Sequence, residues 1–238
     1  WGGLPVMSDD RREVEEMVAI ADALLLNMGT VSATGEETML EAGRAANEHG
    51  VPVVFDPVGV GSTSTRSEVA ERILDEVDLA AVSGNYGEVS TLAGSDAEVR
   101  GVESVGEYGD VAESAHALAR DSGAVVVASG ETDVVADGER VHALEVGHPL
   151  MGEVVGTGCM QGVSVATVCG GVPDRGRAAL DAVLGFGLAG ERAAAEEPRG
   201  PGSFHVAVRD HVANLSPGSV DDDELADRVR VVLDPESG

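Results

Sequence analysis

The sequence predicts an α/β domain: a mainly parallel central sheet with helices on both faces and an appended antiparallel hairpin. Three observations carry this reading. Apolar runs of four to six residues, the length of buried strands, alternate with stretches of ten or more residues whose apolar positions recur at three-and-four spacing. After Ser129 the rhythm changes, and Asp137-Gly138 between two further runs has the composition of a hairpin turn. No internal repeat and no linker-like stretch divides the chain, so residues 1–238 are read as one domain, with 43% hydrophobic content for its core.

The predicted strands are Ala23 to Leu26, Val51 to Phe55, Leu79 to Val82 and Ala124 to Ala128. Helical patterns at Asp10 to Ala21, Glu36 to His49, Arg66 to Val77 and Asp110 to Ser122 alternate with them, and a strand–helix alternation of this kind builds a parallel sheet covered on both faces. Asp133 to Ala136 and Arg140 to Val146 form the hairpin. Three helical stretches follow, roughly Gly158 to Val168, Arg175 to Glu196 and Ser203 to Leu215, punctuated by Gly-Gly and Pro-Gly. The last twenty residues are acidic and predict one short helix and an edge strand.

Composition removes several function classes. The formal net charge is −28, and the chain has no lysine, so all fifteen cations are arginines. A basic nucleic-acid face is excluded by that balance. Carboxylates run from Asp9 to Glu236 without gathering in one tail, as expected of a globular surface solvated in concentrated salt. Without lysine there is no GxxxxGK phosphate loop and no Schiff-base chemistry. Two cysteines, Cys159 and Cys169, lack the spacing of a zinc site or of a secreted disulfide framework, which points to the cytoplasm. No run of eighteen apolar residues exists, so no membrane span is expected.

In an open parallel sheet, ligands bind beyond the carboxyl ends of the strands. The four apolar runs end in polar, glycine-rich segments: Asn27-Met28-Gly29-Thr30, Asp56-Pro57-Val58-Gly59, Ser83-Gly84-Asn85-Tyr86-Gly87-Glu88 and Ser129-Gly130-Glu131-Thr132. Asp56 reads either as a turn aspartate before Pro57 or as a carboxylate for a divalent cation. Asn85 and Glu88, spaced N-x-x-E, read either as a helix cap or as further oxygen ligands to the same ion. Together the three suit a magnesium ion carrying phosphates. Gly156-Thr157-Gly158 precedes a helix, where backbone N–H groups and the helix dipole can hold charge on a transferring phosphoryl group. Cys159 follows at the helix start, where the dipole is expected to favour its thiolate, so that it could take a proton from a substrate hydroxyl. For Cys169, simple packing is the preferred reading.

These segments, NMGT (27 to 30), AANEHGVPVVFDPVGVG (45 to 61), GNxxE (84 to 88), SGETD (129 to 133), GHPLM (147 to 151), GTGC (156 to 159) and GPGSF (200 to 204), resemble hydroxyethylthiazole kinase, a thiamine-salvage enzyme of the ribokinase-like superfamily. The superfamily at large has aspartate where this branch has the cysteine of GTGC. The resemblance implies ATP-dependent phosphorylation of 4-methyl-5-(2-hydroxyethyl)thiazole with Mg2+ in a homotrimer whose thiazole sites lie between subunits. By position it implies Cys159 as catalytic residue, Gly156 and Met7 as substrate contacts, with Asn27, Gly29 and Thr30 beside them. Asp56 and Glu88 fall around the metal and phosphates, and Ser83, Asn85, Ser129 and Gly130 around ATP.

Two departures stand out. The family usually has arginine before the Gly-Asn of GNxxE, where this chain has Ser83, so a five-donor cation has become a short hydroxyl. The family also carries a few dozen residues ahead of the segment matching Leu4 to Met7, so an amino-terminal segment is expected to precede Trp1. Alternatives within the superfamily are another small-alcohol kinase or an ATP-dependent dehydratase of hydrated nicotinamide cofactors, against which Cys159 argues. A non-catalytic binding homologue is the alternative from a different class.

Overall fold

The computed structural model describes residues 1–94, 99–100, 103–104, 108–216 and 227–233. The elements follow in chain order: α1 (Val14–Val18), β1 (Leu24–Asn27), α2 (Ala33–His49), β2 (Val53–Asp56), α3 (Ser64–Glu76), β3 (Ala81–Asn85) and α4 (Tyr86–Leu92). Next come β4 (Val99–Arg100), β5 (Glu103–Ser104), α5 (Tyr108–Ser122), β6 (Val125–Ser129), β7 (Asp133–Ala136) and β8 (Val141–Leu144). Helices α6 (Thr157–Gly171), α7 (Arg175–Ala195) and α8 (Pro201–Ala213) precede the edge strand β9 (Val229–Leu233). The helix expected in the last twenty residues falls on positions outside the described residues.

The main sheet has the order β1-β2-β3-β6-β7-β8-β9. Strands β1, β2, β3 and β6 are parallel neighbours, and β7, β8 and β9 each join antiparallel. Successive side chains on a strand face opposite ways, and β2 shows the consequence. Val53 and Phe55 enter the core beneath α1 to α5, while Val54 enters the core beneath α6 and α7. A third, smaller cluster joins Phe186 of α7 to Phe204 and Val208 of α8, with Trp1 packed on its edge. The sheet is therefore covered on both faces, as its sequence pattern predicts.

Local chemistry sets the helix limits. Ser32 caps α2 by accepting from the Gly35 N–H at 3.0 Å, and Gly50 ends it in the left-handed region at φ 70°. Thr63 and Asp174 cap α3 and α7 in the same way. The first predicted helix shrinks to the five residues of α1, because Glu13 at its start makes no side-chain cap and its buried residues are Val14 and Val18. Helix α6, by contrast, continues to Gly171 across the expected Gly170-Gly171 break, with Val172 as its cap. A Cβ at Gly170 would lie 3.0 Å from the Asp22 carbonyl oxygen, so that glycine serves close packing of the helix on the segment before β1. In the hairpin the tip moves by one residue. The Asp137 N–H donates to the Arg140 carbonyl at 3.1 Å and the Asp137 carboxylate accepts from the N–H groups of Glu139 and Arg140, leaving Gly138 (φ 85°) and Glu139 as the tip.

Candidate active site

The parallel strands deliver their last residues to one rim. Asn27 pairs in register with Asp56, and Asn85 with Ser129, so the ends of β1, β2, β3 and β6 stand level. The start of α6 lies over this rim, with α6 packed against β1, β2 and β3.

Asn27 ties the centre together. Its Oδ1 accepts from the Gly29 N–H at 2.8 Å, which turns its amide nitrogen inward to donate to Asp56 Oδ2 at 2.6 Å and to Cys159 Sγ at 3.3 Å. Asp56 is 4% exposed. Burial first and the neighbouring Glu88 second push its carboxyl up to about 7, against the opposing hydrogen bonds from Cys159 and Asn27. Burial and then the Asp56 charge likewise raise the Cys159 thiol above its ordinary value, with the Asn27 donor opposing them. This corrects the expectation of a thiolate favoured by the helix start: burial, with the nearby carboxylates second, outweighs a dipole worth roughly 0.3–1 kcal/mol.

Asn85 and Glu88 form a capping box at the start of α4, as the helix-cap reading of N-x-x-E requires. Asn85 Oδ1 accepts from the Glu88 N–H at 2.9 Å, and Glu88 Oε2 accepts from the Asn85 N–H at 2.8 Å. Glu88 Oε1 accepts a third bond, from the Gly59 N–H at 2.7 Å. Asn85 thus spends its oxygen on the helix, while Glu88 stays close enough to raise the proton affinity of Asp56. Among the described residues no group of three or more His, Cys, Asp or Glu side chains is placed to cage a metal ion. Two buried carboxylates that repel one another do fit a Mg2+ held by one or two protein oxygens together with phosphates and waters.

The glycines of GTGC have a backbone reason. Gly156 starts α6 at φ 102°, a region closed to most side chains. No side chain caps the helix, and the N–H groups of Gly158 and Cys159 have no acceptor among the described residues. A Cβ at Gly156 or Gly158 would meet nothing within 4 Å, so no neighbouring side chain crowds this turn. Thr157 braces the turn, its hydroxyl donating to the carbonyls of Met151 (2.8 Å) and Val154 (3.0 Å). The arrangement suits an oxyanion or phosphoryl oxygen.

Other expected site residues are placed differently. The Ser129 hydroxyl donates to the Gly84 carbonyl at 3.3 Å. Gly130 is glycine because a Cβ there would fall 2.3 Å from the Tyr86 ring. Ser83, the short hydroxyl in the place of the family's arginine, is buried two residues short of the end of β3. Thr30 is exposed in the loop after β1. Met7 is 99% exposed, so the isolated chain does not pack it against the Asp56–Cys159 cluster. Cys169, at the far end of α6, is buried and its thiol is pushed up to about 11 by burial, consistent with packing. It lines a crevice with Asn47, Asp78 and Arg175 at the opposite rim.

Sequence reasoning missed Arg66. From the first turn of α3 its guanidinium donates to the carbonyls of Met28, Val58 and Gly29, lacing together the loops after β1 and β2. The loop carbonyls it serves carry no sequence signature, so spacing alone could not find it.

Three comparisons bear on this geometry. The model of the hydroxyethylthiazole kinase family matches residues 1–218. The chain is similar to hydroxyethylthiazole kinase of Natronomonas pharaonis, with 56% identity over 236 residues covering 98% of this chain and 84% of the relative. The structure is similar to that of a hydroxyethylthiazole kinase protein from Pyrococcus horikoshii OT3, with a TM-score of 0.83 and 34% identity, covering 98% and 85% of the two chains. It is also similar, at 18% identity and a TM-score of 0.55, to pyridoxal kinase from Staphylococcus aureus in complex with AMP-PCP and pyridoxal, over 75% of this chain and 65% of that one, a likeness of fold.

Proposed function

Because the chain belongs to the hydroxyethylthiazole kinase family, we propose that it transfers the γ-phosphoryl group of ATP to the primary hydroxyl of 4-methyl-5-(2-hydroxyethyl)thiazole, with the rim around Cys159 as its active site. The observation that carries the site is the placement of Cys159 Sγ, held by Asn27 beside Asp56 at the uncapped start of α6.

Cys159 must first give up its own proton; as the thiolate, its Sγ then takes the proton of the substrate hydroxyl as that oxygen attacks, and Asn27 orients the sulfur for the transfer. The N–H groups that follow Gly156 receive the charge spreading over the phosphoryl oxygens. Asp56 and Glu88 would hold Mg2+, which when bound neutralises the charge those carboxylates otherwise impose on the thiol and on the phosphates. Gly29 and Thr30 border the thiazole side and Ser129 with Gly130 the nucleotide side.

The chain acts as a cytoplasmic homotrimer, without nucleic-acid or membrane partners. Support for the assembly is the exposed apolar segment Leu4, Val6 and Met7, at 95%, 68% and 99% exposure, which a neighbouring copy would cover while bringing Met7 to a shared thiazole site. The charge of −28 supports the absence of nucleic acid, and among the described residues no helix is long and apolar enough to cross a membrane. The test is thiazole-dependent ADP formation in molar salt with magnesium. Release of ADP that requires the thiazole is the expected result, and ATP binding without it would overturn the reading.

A further inference from the structure

Asp133 is a deeply buried carboxylate that the phosphoryl-transfer scheme does not use. It opens β7, where the parallel half of the sheet gives way to the antiparallel half, and it is 7% exposed. Both its oxygens are engaged, and by different parts of the fold. Oδ1 accepts from the Gly130 N–H at 3.0 Å, and Oδ2 accepts from Gln161 Nε2 at 3.1 Å. Gln161 is itself 5% exposed and stands two residues after Cys159 on α6. Burying such a group costs several kcal/mol unless its partners are well placed, so a carboxylate kept here for packing alone would be a poor choice.

The turn between Ser129 and Asp133 is fixed from the other side as well. The Tyr86 hydroxyl donates to the Thr132 carbonyl, and the Tyr86 ring occupies the space that a side chain at Gly130 would need. The turn is therefore clamped between α4 and α6, at the rim position next to Asn85.

We infer that Asp133, acting through Gln161, is a positioning residue that sets the Ser129–Thr132 turn at a fixed distance from the N–H groups at the start of α6, so that nucleotide and phosphoryl oxygen are held in one frame. The inference rests on the kinase reading above, since it takes this turn as the nucleotide side of the site. It assigns nothing to Asp133 in the chemistry of proton transfer.

Full-length variants titrated with ATP and Mg2+ by calorimetry, at pH 8 in molar salt, test it. Gln161→Met keeps the volume and removes the donor, while Asp133→Ala removes both acceptors. Each is expected to weaken ATP binding about tenfold, the size of one hydrogen bond to a charged group, while KM for the thiazole stays unchanged. Asp133→Asn is expected to keep wild-type ATP affinity, because its carboxamide accepts from Gly130 and donates to a flipped Gln161 amide. A general loss of folding would not separate the two substrates, nor would it spare asparagine. If Asp133→Ala does not fold, Gln161→Met carries the test alone. Wild-type ATP affinity in Gln161→Met, or weakening of thiazole and ATP alike, would overturn the assignment of Asp133. A wild-type chain that bound no ATP would instead overturn the kinase reading and this inference with it.

Discussion

Helix α6 carries a cysteine at each end, and the two meet opposite surroundings. Cys159 lies in the first turn, half-buried, with the Asn27 amide donating to its sulfur and Asp56 beside it. Cys169 lies in the last turn among Val165, Ala178 and Ala182, where burial is the main influence on its thiol. One helix thus presents the same side chain to a polar rim and to an apolar core. Position relative to the sheet, not residue type, decides which cysteine can do chemistry. The carboxyl ends of the parallel strands bring Asn27, Asp56 and Glu88 to one end of the helix. At the other end the helix borders the crevice around Asn47 and Arg175.

The largest expected effect breaks the comparison at its functional end. Cys159→Ala should lower kcat by roughly a hundredfold or more, the range of a lost general base, with little change in ATP affinity. Steady-state kinetics check this, and an alanine variant with wild-type kcat would show that the GTGC backbone works without the thiol. Cys169→Ala is the matching control. It should leave kcat unchanged and cost about 1 kcal/mol of stability, the typical loss for a small truncation in a core.

Chemical labelling sharpens the same contrast without turnover. Iodoacetamide at pH 8 should modify Cys159 first, since Cys169 is 7% exposed and its thiol is pushed up to about 11. Asn27→Ala removes the donor that stabilises the charged sulfur, so Cys159 should then react more slowly. Mass spectrometry of timed samples reads both, and faster labelling of Cys169 would refute the assignment of environments.

Salt should act on the whole surface and so on both ends of α6 together. Forty-three acidic residues face fifteen arginines. Exposed pairs such as Arg72 with Glu36 and Glu37, or Arg11 with Glu41, offset that repulsion only slightly. Screening extends over about 30 Å at 0.01 M salt and about 3 Å at 1 M, so Tm should rise with KCl. Equal melting temperatures in 0.05 M and 2 M salt, by calorimetry, would contradict this, where both figures are roughly the ends of the screened range.

The smallest effect concerns the middle of α6, where Gln161 meets Asp133. Burial pushes the Asp133 carboxyl up to about 7, above an unfolded value of about 3.9, so the folded chain holds that proton more tightly. Its contribution to stability is fully present below about pH 4, declines as pH rises between these values and is gone above about 7. Asp133→Asn cannot titrate there. Melting curves of the two proteins from pH 4.5 to 7.5, roughly this window, should therefore move in favour of the variant as pH rises, and parallel curves would count against a buried, titrating Asp133.

Much of this molecule was legible before folding, for reasons that lie in local chemistry. Strand and helix periodicity act between residues a few positions apart, so the alternation of elements follows from the chain itself. Gly156 could likewise be picked out, because a residue at φ 102° before a helix needs glycine. Asn85 and Glu88 were legible as a pair, but not in their use. N-x-x-E serves a cap and a ligand set equally well, and only the position of Gly59 shows how far Glu88 is already engaged.

What the sequence determined by itself, then, is the α/β architecture, the acidic surface and the identity of the groups on the rim, since each depends on composition or short-range pattern. Tertiary structure alone decided the state of Cys159, whose neighbours Asn27 and Asp56 lie 132 and 103 positions away in the chain. It alone decided that Arg66 laces two loops, that Ser83 is buried and that Asp133 joins a rim turn to α6. The reason is physical. Burial and the charges within a few ångströms set proton affinity and hydrogen-bond use, and those neighbours are supplied by strand order and helix packing, which no short stretch of sequence contains.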